Sequence, residues 1–241
     1  MTFLVPERQY DPALPELIEN PQADFRMLSD ELKSIRTINR FFGGRAALRR
    51  GMTRLLADVS TTKEITVLDL GTGSADLPVY LIGLARRLGR TARITAVDNH
   101  PLVLNEASRC TSRYPEITIE SRDILNTGYS PGAFDIVTCS LTLHHFSEND
   151  AVQILRSMNR LSRIGFILID LNRSWMAAAT TRLYTFLTTR NPMTRTDACL
   201  SVLRGFTPRE VRCMAEKADL HQVEIQTLPF FRILLVGRGR M

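Results

Sequence analysis

The feature that most constrains this chain is a strand, a glycine turn and a helix in direct succession, EITVLDLGTGSADLPVYLIGLARRLG at residues 64–89. The apolar run ends at Asp69, the chain turns through Gly71 and Gly73, and apolar residues then recur every three or four positions. The two glycines allow a sharp turn and a close approach of the backbone to a ligand. The N–H groups that begin the helix point to the same spot, so the turn predicts a site for a ligand with a carboxylate or another negative group.

Short apolar runs alternate with amphipathic helical segments from residue 64 onward, which is the pattern of βαβ units in a parallel sheet. Little more than Leu228 and Pro229 separates the last two apolar runs, so these must form an antiparallel hairpin. The prediction is an α/β protein with a seven-stranded, mostly parallel sheet, helices on both faces and a C-terminal antiparallel hairpin. Its strands are placed at 65–70, 93–98, 117–123, 134–140, 165–171, 221–227 and 230–237, and its helices at 75–88, 101–113, 148–161 and 207–218.

Two segments fall outside this alternation. Residues 1–60 predict helices around the FFGG break and form a helical N-terminal cap ahead of a domain at 61–241. Residues 172–206 form a helical insertion after the fifth strand, and such additions usually close over a site. We therefore expect 172–206 to act as a lid over the substrate. Beyond it, Thr207, Pro208 and Glu210 predict a helix start with reciprocal capping.

Composition excludes several classes of protein. The chain has 241 residues, 44% of them hydrophobic, which is enough to bury a full core. No apolar run is long enough to span a bilayer and the N-terminus has no signal-peptide pattern, so a cytoplasmic protein without a membrane span is expected. No metal cluster with ligand spacing occurs, so no catalytic ion is expected. Four widely separated cysteines without CxxC spacing predict reduced, buried thiols: Cys110, Cys139, Cys199 and Cys213.

The net charge of +6 is concentrated in residues 33–54, which contain seven basic residues and no acid. One interpretation is a solvated helix surface. The alternative is a docking face for RNA or protein, although only the Phe41–Phe42 pair offers aromatic rings for base stacking. Nucleic acid is therefore not the expected partner. The basic residues are Lys33, Arg36, Arg40, Arg45, Arg49, Arg50 and Arg54.

The glycine turn is a poor match to the dinucleotide fingerprint G-x-G-x-x-G, because the third glycine position is held by Asp76. An acid there would repel a pyrophosphate, whereas Asp69 is a good neighbour for a cation. A ligand that has an ammonium, a carboxylate and a ribose fits better. These residues disfavour a nicotinamide-dependent oxidoreductase.

The stretch VLDLGTGSADL resembles motif I of the class I S-adenosylmethionine-dependent methyltransferases, with Ala75 in the third small position. The resemblance implies a Rossmann-like fold, S-adenosylmethionine as cofactor and S-adenosylhomocysteine as product. It places Asp98, at the end of the second strand, on the ribose hydroxyls, and Asp123 and Ile124 on the adenine. The full set of implied cofactor residues is Asp69, Gly71, Thr72, Gly73, Asp98, Asn99, Asp123, Ile124 and Ser140.

The stretch FDIVTCSLTLHHFSEND resembles the strand-four motif of small-molecule methyltransferases of the ubiquinone/menaquinone-biosynthesis type. The resemblance covers residues 64–171 well, extends to 237 as architecture and says little about 1–60. His144 and His145 follow strand four, where ligands of open α/β sheets bind, so one of them could remove a proton from a phenol. The other reading of these histidines is structural. We expect O-methylation of a small phenolic or enolic metabolite, in secondary-metabolite or quinone-type biosynthesis.

The insertion supplies aromatic rings for an apolar substrate pocket, although the same rings could be plain lid core. The predicted substrate contacts are Arg173, Trp175, Tyr184 and Phe206, with Phe186, Asp170 and Asn172 as further candidates.

Two rival functions stay open. One is an RNA or protein methyltransferase, although SLTL stands where many enzymes that methylate planar nitrogens have an N/D-P-P-Y type motif. The other is a non-catalytic relative that binds the cofactor. A homodimer is possible, and the N-terminal cap could cover its own site or a partner's.

Overall fold

The structure is a computed structural model and describes residues 5–20 and 22–239. Its helices are α1 Phe25–Phe41, α2 Gly44–Leu55, α3 Asp76–Arg87, α4 Pro101–Thr111, α5 Glu148–Leu161, α6 Trp175–Thr188, α7 Pro192–Arg204 and α8 Pro208–Lys217. Its strands are β1 Ile65–Leu70, β2 Ala92–Asp98, β3 Ile117–Ser121, β4 Phe134–Ser140, β5 Ser162–Leu171, β6 Val223–Leu228 and β7 Arg232–Arg238. Short 3-10 helices occur at Leu17–Glu19 and Leu143–His145.

The seven strands form one sheet in the order β3-β2-β1-β4-β5-β7-β6. The first five are parallel, and β7 lies antiparallel between β5 and β6. The predicted Rossmann-like, mostly parallel sheet with a C-terminal hairpin is confirmed. The strand order reverses between β1 and β4, and in open α/β sheets the crevice at such a reversal is where ligands bind.

Both faces of the sheet are buried, as the predicted helical layers require. Leu68 and Leu70 of β1 pack with α5 and α8 on one face, and Ile65 and Val67 pack with α2 and α3 on the other. The alternation of β1 side chains between the two faces does not show as an alternation of apolar and polar residues in the sequence. A parallel strand that is covered on both faces is a continuous apolar run. This geometry leaves only the two ends of the sheet open to ligands.

The segments before β1 and after β5 pack on each other at one end of the sheet. The backbone N–H groups of Leu17 and Ile18 donate to the buried Asp197 carboxylate of α7 at 3.0 and 2.9 Å. Asn191, which caps α7, donates from Nδ2 to the Met27 carbonyl of α1 at 2.8 Å. The N-terminal segment is thereby fastened to the insertion of its own chain, and the two together cover the carboxyl ends of the strands.

The predicted start of α8 is confirmed in detail. The Glu210 N–H donates to Thr207 Oγ1 at 3.2 Å, and the Thr207 N–H donates to Glu210 Oε2 at 2.7 Å. Across the described parts of the chain, the helices are too short or too polar for any of them to cross a lipid bilayer.

Candidate active site

A cavity of about 750 Å³ opens at the carboxyl ends of β1, β2 and β4. The glycine turn and the ends of these strands form its floor. Residues from α1, from the 3-10 helix at Leu17–Glu19 and from α6 and α7 form its walls. Residues of the N-terminal segment and of the insertion at 172–206 therefore line a cavity of their own chain.

The two glycines of the turn have different roles. A Cβ on Gly71 would lie 2.4 Å from Thr142 Oγ1, so packing against the loop after β4 excludes any side chain there. A Cβ on Gly73 would have only Leu32 Cδ2 nearby, at 4.0 Å, and would occupy the cavity itself. Both glycines have positive φ, as does Ala75, the N-cap residue of α3. Gly71 shapes the turn, and Gly73 leaves room for a ligand.

Asp98 ties the turn to the end of β2. Its Oδ2 accepts the Gly73 N–H at 3.1 Å, and its Oδ1 accepts the N–H groups of Asn99 and His100 at 2.9 and 3.1 Å. A carboxylate can accept about four hydrogen bonds, so three donors leave it capacity for a ligand hydroxyl. The carboxylate is fixed in place before any ligand arrives.

The floor of the cavity near the turn is acidic and buried. Asp69 Oδ1 accepts from Thr138 Oγ1 at 2.6 Å, and burial raises the pKa of this carboxyl to about 6. Burial also raises the pKa of Asp76, whose carboxylate accepts from Asn39 Nδ2 at 3.3 Å. A ligand ammonium beside these two carboxylates would stabilise their charged forms.

The structure brings all nine predicted cofactor residues to this cavity. Asp123 is exposed at its edge and Ile124 is buried beside it, while Ser140 lies at the end of β4. The cavity also contains buried polar atoms that have no hydrogen-bond partner within the described chain, among them Ser74 Oγ and Ser140 Oγ. Because buried polar groups are normally paired, these atoms indicate a missing polar ligand. The residues present fit S-adenosylmethionine, which carries an ammonium, a carboxylate and a ribose.

His144 and His145 line the same cavity and are each held by a carboxylate. The Nδ1 atom of buried His144 lies 2.7 Å from Asp170 Oδ1, and its backbone N–H donates to Asp170 Oδ2 at 3.1 Å. Burial opposes ionisation of Asp170, but the nearby His144 ring holds the pKa of this carboxyl below its ordinary value. His145 Nδ1 lies 2.5 Å from Glu19 Oε1. The arrangement defines the His144–Asp170 pair as a buried, oriented dyad.

Glu16 approaches both rings from the N-terminal segment. Its Oε1 lies 3.9 Å from His144 Nε2 and 3.9 Å from His145 Nδ1, and it has no hydrogen-bond partner among the residues described. Burial raises the pKa of Glu16 to about 7. Tertiary structure thus assembles a cluster that the spacing along the chain did not predict.

The donor atoms of Glu16, His144 and His145 lie within 4.8 Å of one another, close enough to hold a metal ion. The sequence-based expectation of no catalytic ion rested on ligand spacing and did not consider Glu16. The buried Arg204 guanidinium lies 3.8 Å from Glu16 Oε1 and 3.5 Å from Glu19 Oε1. It supplies positive charge at the place where an ion would otherwise be needed.

Arg232 is a cavity residue that the sequence reasoning missed. It is buried at the start of β7, its Nε donates to the Phe42 carbonyl at 2.7 Å, and its Nη1 has no partner in the described structure. Burial lowers the pKa of its guanidinium to about 10. The only available signal was a single arginine inside an apolar strand, which by itself does not say what the side chain faces.

Three of the four predicted substrate contacts do not line the cavity. Arg173 is buried away from the cavity, where Nε donates to the Pro6 carbonyl at 2.8 Å and Nη2 pairs with Glu210 at 2.6 Å. Trp175 points to solvent, and Phe206 is buried beneath the Arg8 guanidinium, 3.9 Å from the ring centroid. Of the four, only Tyr184 lines the cavity. Periodicity in the insertion did not reveal which side of each helix faces the sheet.

The three further candidates for substrate contact also differ in whether they reach the cavity. Phe186 points to solvent, and Asp170 reaches the cavity region through His144. The backbone N–H of Asn172 donates to the Phe231 carbonyl at 2.8 Å, and Asn172 does not line the cavity.

Several cations of the basic segment are engaged within the fold. Arg36 pairs with buried Glu106 at 3.1 Å, Arg54 pairs with Glu224 at 2.7 Å, and Lys33 pairs with Asp30 at 2.7 Å. Arg49 and Arg50 are exposed on α2. This distribution favours the helix-surface interpretation over a continuous docking face.

Comparison with known proteins gives the class. Residues 67–165 match a family model described as a methyltransferase domain. No curated protein is significantly similar in sequence to this chain. The chain therefore contains a methyltransferase domain with the sheet topology of class I S-adenosylmethionine-dependent methyltransferases.

Solved structures share the fold at low identity. The plantazolicin methyltransferase BamL, in complex with a triazolic desmethylPZN analogue and S-adenosylhomocysteine, superposes with a TM-score of 0.63 at 12% identity, over 86% of this chain and 90% of its own. A SAM-dependent methyltransferase from Aquifex aeolicus gives 0.54 at 16% identity, over 78% and 88%. Human N-acetylserotonin methyltransferase gives 0.57 at 16% identity over 90% of this chain, which spans only 56% of the human enzyme.

Proposed function

We propose that this methyltransferase transfers its methyl group to an oxygen of a small phenolic or enolic metabolite, and that His144 removes the proton from that oxygen. The observation that carries the proposal is the 2.7 Å contact between His144 Nδ1 and Asp170 Oδ1 beside the cavity. Secondary-metabolite and quinone-type biosynthesis are the settings in which such acceptors arise.

Asp170 determines which nitrogen of His144 can act. A carboxylate accepts but does not donate, so Nδ1 carries the hydrogen of this contact and Nε2 carries the lone pair. The ring is nearly inaccessible to solvent and lines the cavity, with Nε2 on the side of Glu16. An acceptor O–H that donates to Nε2 passes its proton there, and Asp170 stabilises the imidazolium that forms.

Arg232 supports an acceptor that becomes an anion. Its unpartnered Nη1–H is buried at the cavity wall. A phenolate or enolate oxygen would give this cation the partner that the described chain does not supply. Because charge-assisted hydrogen bonds are strong in a low-dielectric site, the cation would stabilise the anion that His144 produces.

The remaining walls suit a flat, apolar acceptor. They include Leu32, Ile35, Ile38, Phe42, Tyr184 and Val202. In this proposal the cap at 1–60 and the lid at 172–206 exclude water from the acceptor, and bound S-adenosylmethionine supplies the activated methyl group. The protein's contribution is to hold the acceptor oxygen in position, to keep water away from it and to take its proton.

The test is transfer of a labelled methyl group from S-adenosylmethionine to a panel of phenols and enolisable diketones, with the position of the label read by carbon NMR. His144→Gln and Asp170→Asn should lower kcat by about 10²- to 10⁴-fold, since a positioned base contributes about that much, without changing affinity for S-adenosylhomocysteine.

His145→Gln is the matched control, because it alters the neighbouring ring without touching Asp170. Retained activity in this variant assigns the base to His144. Full activity in both histidine variants, or a label that appears on carbon or nitrogen, would contradict the proposal.

A further inference from the structure

Helix α6 exposes large apolar side chains and buries small or polar ones, which is the reverse of an ordinary surface helix. Its buried residues are Ala177 and Thr185, while five of its large apolar side chains are 52–71% exposed. At 100° per residue these five fall within an arc of about 120°, so they form one continuous stripe. Contiguous apolar surface of this kind marks a contact site. The five residues are Trp175, Met176, Leu183, Phe186 and Leu187.

The stripe adjoins the cavity-lining side of α6, which carries Thr180 and Tyr184, although none of the five stripe residues itself lines the cavity. Tyr184 is in edge contact with Phe42 at 5.1 Å between ring centroids, and Phe42 is in edge contact with Phe230 at 5.4 Å. Phe230 lines the cavity and is nevertheless 53% exposed, which places it at the opening. Phe41, next to Phe42, is 62% exposed. We call the α6 stripe together with Phe41 and Phe230 the mouth surface.

Cations surround the mouth surface. No acid occurs in residues 171–196 or 32–57, and Arg182 and Arg190 of the first stretch are exposed. The Arg195 guanidinium lies 5.2 Å from the Phe186 ring centroid, and that of Arg40 lies 5.1 Å from the Phe41 ring centroid. The apolar surface is therefore framed by positive charge.

We propose that the mouth surface docks on an anionic lipid bilayer. A helix with Trp, Phe and Leu on one side and arginines beside them lies in the headgroup region, where the rings bury and the cations meet lipid phosphates. A second copy of this chain would satisfy the apolar side chains but would bring the same arginines face to face. The lipid surface is the occupant that complements both features.

Docking through the mouth surface would place the cavity opening at Phe230 beside the bilayer. An acceptor dissolved among the lipid chains would then reach the site without crossing water, which points to a lipophilic acceptor class. The docking itself does not depend on the proposed reaction, because it is measured without any acceptor.

The experiment is vesicle flotation of the full chain with phosphatidylcholine alone and with phosphatidylcholine containing phosphatidylglycerol. We expect binding to the anionic vesicles that weakens with salt. The double variant Phe186→Ser/Leu187→Ser should lose at least about tenfold in affinity, since two large apolar side chains would no longer be buried in the bilayer. Trp175→Ser/Met176→Ser should lose as much, and Arg182→Gln/Arg190→Gln should lose mainly the salt-sensitive part.

Leu88→Ser is the matched control, because Leu88 is 51% exposed at the end of α3 and lies outside the mouth surface. Unchanged affinity for S-adenosylhomocysteine shows that each variant is folded. The proposal is overturned if the wild type does not float with anionic vesicles, or if the α6 double variants float as well as Leu88→Ser. Concentration-dependent dimerisation that the same variants abolish, without flotation, would assign the surface to a second copy instead.

Discussion

Asp98 organises the cofactor end of the site through three backbone N–H groups, from Gly73, Asn99 and His100. The role implied by the family resemblance, contact with the ribose, would use the acceptor capacity that remains. In that case structural and binding roles would coincide in one half-buried carboxylate. A substitution of Asp98 tests ligand binding only if it preserves the hydrogen bond that holds the glycine turn.

Asp98→Asn is suited to this purpose, because the amide retains one acceptor oxygen for the turn. We expect it to weaken S-adenosylhomocysteine binding by about 10- to 100-fold, as hydrogen bonds to a charged group contribute about 1.5–3 kcal/mol. Calorimetric titration measures the change. Asp123→Asn, at an exposed carboxylate whose Oδ1 accepts the Leu125 N–H at 2.9 Å, should cost less. Equal affinities in the wild type and Asp98→Asn would contradict the ribose role.

Backbone strain is concentrated around the cavity. Leu141, Phe230 and Phe231 have φ values of 52°, 62° and 53°, a region that large side chains rarely adopt, and all three line the cavity. Each costs about 1–3 kcal/mol and persists because the surroundings impose it. The β6–β7 turn accepts two strained phenylalanines where glycine or asparagine would be favoured, which indicates that their rings are needed at the cavity.

At the scale of elements, α2 lies close against the sheet through Gly51. A Cβ at this position would come within 2.8 Å of Ile167 Cδ1 on β5. By contrast, a Cβ on Gly83 of α3 would have no neighbouring atom of the described chain within 4 Å, so a side chain there meets open space. The two glycines have the same intrinsic helix penalty but opposite surroundings.

Gly51→Ala should destabilise the fold by about 1–3 kcal/mol, because overpacking outweighs the gain in helix propensity. Gly83→Ala should stabilise it by up to about 1 kcal/mol, since only the propensity gain applies. Urea unfolding of both variants gives the free energies. A Gly51→Ala variant as stable as Gly83→Ala would mean that α2 is not held tightly against β5.

For the whole molecule, three buried carboxyls make stability depend on pH. Burial raises the pKa of Glu16 and Glu31 to about 7 and that of Asp69 to about 6. The folded chain therefore holds protons that the unfolded chain releases between the ordinary carboxyl pKa, about 4, and about 7. Since stability falls wherever the folded state binds more protons, it should decline as pH rises through this window.

Glu16→Gln should remove part of this decline. The variant keeps the shape of the side chain but cannot ionise, so at pH 8 it should be more stable than the wild type, by at most about 3 kcal/mol. Urea unfolding at several pH values between 5 and 8 measures the difference. Glu19→Gln is the opposite control. Burial opposes ionisation of Glu19, but His145 lowers the pKa of this carboxyl below its ordinary value, so removal of the Glu19 charge should destabilise the fold at neutral pH. A flat profile in the wild type would refute the assignment of buried protons.

The sheet, its hairpin and the cofactor end of the site could all be predicted from the order of residues along the chain. A βαβ chain must bring successive strand ends to one edge, so Asp69, Gly73, Asp98 and Asp123 meet there whatever the rest of the chain does. Strand and helix bounds followed from local periodicity. β5 begins at Ser162, earlier than predicted, because it continues directly from the end of α5.

The acceptor end of the site, by contrast, depends on tertiary packing. Glu16 and Arg232 reach the cavity from opposite ends of the chain, and Arg173, Trp175 and Phe206 of the insertion turn away from it. Periodicity gives the faces of a helix, but which face meets the sheet depends on packing between segments distant in sequence. The physical reason is that covalent connection fixes the neighbours within a βαβ unit, whereas the cap and the lid find theirs through long-range burial and hydrogen bonding.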